Sequence, residues 1–191
     1  MQRLAGFDAP RNKLAALSRS GEIVRVKKGL YMAKGAAVDR WVLAGLIYGP
    51  SYVSLEAALS HHGLIPERVD EVTCTSTKRP RIFETPVGRF SYRGVPARVF
   101  LAGVALVEAE GGSYLLASPE KALCDRVALV RNLRAQRDVP SLLVDELRVD
   151  VESLAQFDVA LVRDIARRYR RASVTALADW LAKRKGNLVA T

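Results

Sequence analysis

The chain has 191 residues, of which 49% are apolar, and thirty Lys and Arg stand against twenty Asp and Glu, a formal charge of +10. That apolar content can bury a core, so a mostly disordered chain is excluded, and the length fits one domain or a small module joined to a larger one. Charge or glycine breaks every apolar run well short of the roughly 18 residues a membrane helix needs, so no membrane span is expected.

The opening residues mix Arg3, Asp8, Arg11 and Lys13 with few apolar side chains, which is not the pattern of a secretory signal. Cytoplasmic placement is therefore expected. Cys74 and Cys124 lie far apart and belong to no CxxC pair, and they are expected to be buried free thiols. His61 and His62 are the only histidines, and adjacent helical residues point about 100° apart, so neither a metal site nor any cofactor is expected.

The charge is unevenly placed. Residues 1–35 carry eight basic and two acidic side chains, and residues 163–185 carry eight and two again. The span 36–162 has fourteen basic against sixteen acidic. Two basic ends around a slightly acidic body attract polyanions, whereas an even spread would mainly aid solubility.

In chain order, residues 10–20 predict a short helix. Pro10 suits its first position, Leu14 and Leu17 share one side, and Gly21 ends it. Glu22 to Val26 predicts a strand, Lys27-Lys28-Gly29 a turn, and Leu30-Tyr31-Met32 a second strand. Val38 to Tyr48 has helical spacing and is broken by Gly49-Pro50; Ser51 is read as the cap of a further helix running to Gly63. Glu71 to Thr77 alternates as a strand, and Ile82 to Tyr92 reads as a hairpin around Pro86-Val87-Gly88. Strands are also expected at Ala97 to Leu101, Ala105 to Glu108 and Ser113 to Ala117. Ser118-Pro119-Glu120 starts a helix, and from Ser141 onward the pattern is helical. The fold expected is α+β, with a partial winged-helix module at 1–35 and a mixed α+β domain with a helical C-terminus at 36–191.

Gly21 through Tyr31 carries the sharpest local signal. A helix followed at once by a hairpin with a basic tip is the order of parts at the end of a winged helix. Arg11, Asn12 and Lys13 occupy the first turn of the helix, and Arg and Asn are the side chains that bond bidentately to guanine and adenine. Lys27 and Lys28 at a flexible tip suit phosphate contacts, and Arg19 and Arg25 join the expected DNA-binding residues. A secondary basic patch is expected from Lys78, Arg79 and Arg81 together with Arg163, Arg167, Arg170 and Arg171 on a C-terminal helix, whose bland alternative is a solvated helix face. A complete winged helix has two further helices in front, and only about nine residues precede Pro10, so the module is expected to be truncated or to borrow support. Glycine-rich phosphate loops, GxSxG and HExxH are lacking, so an enzyme is not expected. Glu56 with His61-His62, and Ser118 with Lys121, read as packing and capping rather than catalysis.

Four stretches in order resemble the AbiEi antitoxin family, the regulatory halves of bacterial abortive-infection, type IV toxin–antitoxin pairs. They are Gly21 through Tyr31 (GEIVRVKKGLY), Ser51 through Pro66 (SYVSLEAALSHHGLIP), Thr85 through Tyr92 (TPVGRFSY) and Leu116 through Asp125 (LASPEKALCD). The resemblance implies an N-terminal winged helix that binds double-stranded DNA at its own promoter. It further implies an α+β antitoxin domain and a partner toxin of the nucleotidyltransferase type. A homodimer would lengthen the site read. The competing expectation is a protein-interaction module with a vestigial reader that docks the toxin through 36–191.

Overall fold

The computed structural model describes residues 9–133 and 135–189; the segment 1–8, with Arg3 and Asp8 of the opening stretch read above, lies outside them. Helix α1 (Pro10–Arg19) has proline in its first turn, and Gly21, at φ +73°, turns the chain out of it. Strands β1 (Ile23–Lys27) and β2 (Leu30–Ala33) pair antiparallel around Gly29 at φ +83°, with a register shift between Arg25 and Lys27. Helix α2 (Arg40–Ile47) is capped by Asp39, whose carboxylate accepts from the Trp41 amide at 2.7 Å.

Strands β3 (Ser51–Val53), β4 (Val72–Ser76), β5 (Arg81–Thr85), β6 (Gly88–Gly94), β7 (Val104–Ala109) and β8 (Gly112–Ala117) form one sheet in the order β5-β6-β4-β3-β8-β7. β3 runs antiparallel to β4 and parallel to β8, with Val53 opposite Leu116, and β4 runs parallel to β6. Helices α3 (Leu55–His61), α4 (Pro119–Val127), α5 (Val139–Ser141, continued by a wider turn over Leu142–Glu146), α6 (Val159–Tyr169) and α7 (Ala172–Val189) complete the chain. The α+β class read from the pattern is what the molecule shows.

Alternation along the strands assigns the layers. Tyr92 sits opposite Cys74, which sits opposite Val53, and the Tyr92 hydroxyl donates to the Ala44 carbonyl at 2.8 Å, so α2 covers that face. Tyr52, Thr73 and Thr75 point the other way, toward α3, α4 and α6: the Thr73 hydroxyl accepts from the Ala57 amide at 2.9 Å. Val26 and Leu30 of the first hairpin are buried in the same core cluster as the sheet and its helices. No helix among the described residues is long and apolar enough to cross a membrane.

Two expected elements differ. Ala97 to Leu101, expected as a strand, is a 3-10 turn over Ala97–Val99 that buries Val99. Ser51 caps no helix: Ser51–Val53 is the central strand β3, and the helix starts only at Leu55. Ser54 precedes that helix without a side-chain capping bond, and its hydroxyl donates to Asp125 at 2.7 Å. The β4 segment, read as alternating, is buried on both faces.

A polar cluster sits within this core. Asp125 accepts from the Tyr52 hydroxyl (2.8 Å), the Ser54 hydroxyl (2.7 Å), the Tyr169 hydroxyl (2.5 Å) and the Lys121 ammonium (2.7 Å). The Lys121 ammonium also lies 5.4 Å from the Tyr52 ring centre and 5.0 Å from that of Tyr169. Burial first and the Asp125 charge second push both phenols well above the ordinary tyrosine range. They are therefore held as neutral donors. The cluster ties β3 to α4 and α6.

Candidate nucleic-acid interface

The first hairpin places its two tip lysines differently. Lys28 is exposed, whereas Lys27 is half-buried and donates to the Ile47 carbonyl at the C-terminal end of α2. That bond carries the Lys27 ammonium to 5.9 Å from the Phe83 ring centre, on β5. Phe83 belongs to a three-ring group: Tyr48 and Phe83 are 5.7 Å apart, Tyr48 and Tyr92 5.2 Å, and Phe83 and Tyr92 5.8 Å, centre to centre.

The connection between β4 and β5 closes on the same rings. Lys78 donates to the Gly49 carbonyl and lies 5.1 Å from the Tyr48 ring centre. The Tyr48 hydroxyl donates to the Arg79 carbonyl at 3.1 Å, and the Arg81 guanidinium lies 5.2 Å from the Phe83 ring centre. Arg81 and Phe83 share a face because β5 pairs Arg81 with Tyr92 and Phe83 with Phe90. Lys27, Lys78 and Arg81 thus surround one aromatic platform, with exposed Lys28 and Arg79 next to them in the chain. Two stretches some fifty residues apart, expected as separate patches, form one. The three rings are what sequence reading missed. Their only local signal is that Tyr48 precedes the Gly49-Pro50 break and that Phe83 stands two residues after Arg81 in an alternating stretch.

The remaining expected residues fall into two groups. Arg11, Asn12, Lys13 and Arg19 are exposed on α1, and Arg25 is exposed on β1. Arg19 also donates to the Ala15 carbonyl at 3.4 Å. The C-terminal arginines belong to α6 and its end, in the layer across the sheet from α2, and do not join the platform. Arg163 is exposed; Arg167 lies 3.3 Å from Asp164, which also pairs with Arg168 at 2.6 Å. Arg170 is the left-handed cap of α6 at φ +55°, and Arg171 donates to the Ala128 carbonyl at 2.6 Å. Arg171 therefore fastens the α6 end to α4. Glu56 pairs with Arg126 at 2.8 Å, and His62 contacts the Ala117 carbonyl at 2.8 Å through Nε2. Both read as packing. Cys74 and Cys124 are buried free thiols, as the sequence led us to expect.

Compared with family models and with curated proteins, the chain matches none. The chemistry of the patch must therefore speak for itself. Cations held over aromatic faces keep their positive charge while losing side-chain freedom, so they present a fixed array to a polyanion. Lysine has three donors, so Lys27 and Lys78 each keep protons to offer after bonding one carbonyl. A duplex backbone places one negative charge about every 1.7 Å of axis and rewards such an array by counterion release.

Proposed function

We propose that the chain is a DNA-binding regulator whose reader is α1 with the β1–β2 hairpin as wing, and whose phosphate anchor is the platform of Lys27, Lys78 and Arg81. The observation that carries this reading is the convergence of the hairpin tip and the β4–β5 connection on the rings of Tyr48, Phe83 and Tyr92. Arg11, Asn12 and Lys13, exposed on the first turn of α1, are the proposed base-reading side chains. Arg19, Arg25 and Lys28 are placed for phosphate.

The resemblance to AbiEi-type antitoxins supplies the biological frame. In that frame the chain represses its own operon, counteracts a nucleotidyltransferase-type toxin encoded beside it and pairs as a homodimer on DNA. It acts in the cytoplasm and catalyses nothing. The hairpin's Val26 and Leu30, packed into the core of the larger part, support the reader.

Fluorescence anisotropy with duplex DNA from immediately upstream of the gene, against a scrambled duplex, tests the proposal. Tighter binding to the upstream duplex, weakening by a log K against log salt slope near about −4 to −5 for about five phosphates, is the expected result. Equal binding to both duplexes with a shallow slope would overturn it.

A further inference from the structure

The sheet face opposite the aromatic platform holds a half-open groove of about 810 Å³, over β4 and β6. Thr73 and Ser91, register partners on those strands, line it. Ser91 is only 6% exposed, and among the described residues its hydroxyl makes no hydrogen bond. That hydroxyl opens onto the groove, where a bound group can donate to it or accept from it.

The arginines of the groove differ in what they are already doing. Arg126 is neutralised by Glu56 at 2.8 Å. Arg68 lies 4.0 Å from Asp70, but both side chains are more than 90% exposed, at 94% and 93%, so that pair fixes little. Arg93, on β6, and Arg131, beyond α4, have no ion-pair or hydrogen-bond partner among the described residues. The apolar wall is Leu129 and Val69; Leu55, also at the groove, is only 2% exposed. Leu129 is 41% exposed, and Leu55 adopts φ +57°, a left-handed conformation that non-glycine residues avoid and that gathers at functional sites.

The chemistry narrows the occupant. No aromatic ring among the described residues lines the groove, so it has no surface on which bases could stack. Unpaired guanidinium groups, a hydroxyl and an apolar wall instead fit a polypeptide. We propose that this groove docks a segment of a partner protein in which carboxylates flank an apolar side chain. Arg93 and Arg131 take the carboxylates, Val69 and Leu129 the apolar side chain, and Ser91 a polar group of the segment. The sheet lies between this site and the aromatic platform, so protein and DNA can be held at once. The inference stands without the DNA reading, because it uses none of that patch's residues.

The test uses the full chain and three fluorescent probes: the peptide Glu-Glu-Leu-Glu-Glu, its uncharged counterpart Gln-Gln-Leu-Gln-Gln, and a single-stranded thymidine hexanucleotide. Anisotropy should show the acidic peptide binding, with the uncharged one weaker by at least about tenfold. Arg93→Gln/Arg131→Gln should weaken the acidic peptide by at least about tenfold at unchanged thermal stability, since both side chains are exposed and unpaired. Lys27→Ala/Lys28→Ala should leave the peptide affinity as it was. No binding of the acidic peptide, equal binding of both peptides, survival of binding in the arginine double variant, or preference for the hexanucleotide would each overturn the proposal.

Discussion

The Lys121 ammonium and the Asp125 carboxylate lie 2.7 Å apart, one turn of α4 from each other, and neither side chain reaches solvent. Three hydroxyls, of Tyr52, Ser54 and Tyr169, complete the carboxylate's shell. Two buried charges are tolerated here because each is bonded and because two aromatic rings face the ammonium.

Removing either charge alone should therefore be severe. Lys121→Met leaves a buried carboxylate with neutral donors only, and a loss of about 3–5 kcal/mol is expected from urea denaturation. Lys121→Met/Asp125→Leu should lose clearly less than the two single losses added together, because neither charge is then stranded. Additive losses would show that the pair is not energetically coupled.

The aromatic platform makes a prediction about DNA. Lys78→Ala/Arg81→Ala should weaken duplex binding as much as Lys27→Ala/Lys28→Ala does, since the two sets border the same rings. Each double variant should flatten the salt slope by about 2. Arg163→Ala/Arg167→Ala, in the layer across the sheet, should change the affinity little. A larger loss from that variant than from the platform variants would place the DNA on the α6 side instead.

Burial pushes the thiols of Cys74 and Cys124 well above the ordinary cysteine range, with the neighbouring Asp125 charge adding to the effect at Cys124. Neither should react with Ellman's reagent in the native state at neutral pH, and both should react once urea unfolds the chain. Reaction of either thiol at rates typical of an exposed cysteine would contradict the packing around α4 and β4.

Partial burial first, and the neighbouring His62 second, hold His61 below the usual 6.5. Its ring meets Trp41 edge to face at 4.9 Å. The unfolded chain therefore binds this proton more readily than the folded one, so its contribution is complete above about pH 6.5 and declines as pH falls below it. The His61 ring proton shifts in NMR should titrate below those of an unfolded reference. His61→Gln should flatten the fall in stability between pH 7 and 5.

Much of the frame was legible in the sequence because it is local. The β1–β2 hairpin follows from Gly29 and alternation, and Ser118-Pro119-Glu120 specifies the start of α4 through a cap that accepts from the Lys121 amide at 3.2 Å. The two misread segments were not local decisions. Ser51–Val53 is three residues long, too short for a period to show, and is a strand only because β4 and β8 flank it. Ala97 to Leu101 has the apolar content of a strand, but Val99 is buried by a tight turn with no sheet neighbour to pair with. The candidate site was half legible. Its lysines and arginines stand out by charge, whereas the platform that gathers them depends on Tyr48, Phe83 and Tyr92 meeting across the fold. Lys121 reads in the sequence only as part of a capped helix start, because Tyr52 and Tyr169, whose rings face its ammonium, lie 69 residues before it and 48 after it.

The parallel pairing of Val53 with Leu116 has a consequence for how the molecule comes into being. A chain emerging from the ribosome cannot join β3 to β8 until residues up to Ala117 are out, so the strands β5-β6-β4-β3 wait until then with β3 as an open edge. Tyr169 then has to arrive before Asp125 gains its last donor. In a chain made from its N-terminus, α6 can therefore pack on the core around Asp125 only after all six strands of the sheet are out.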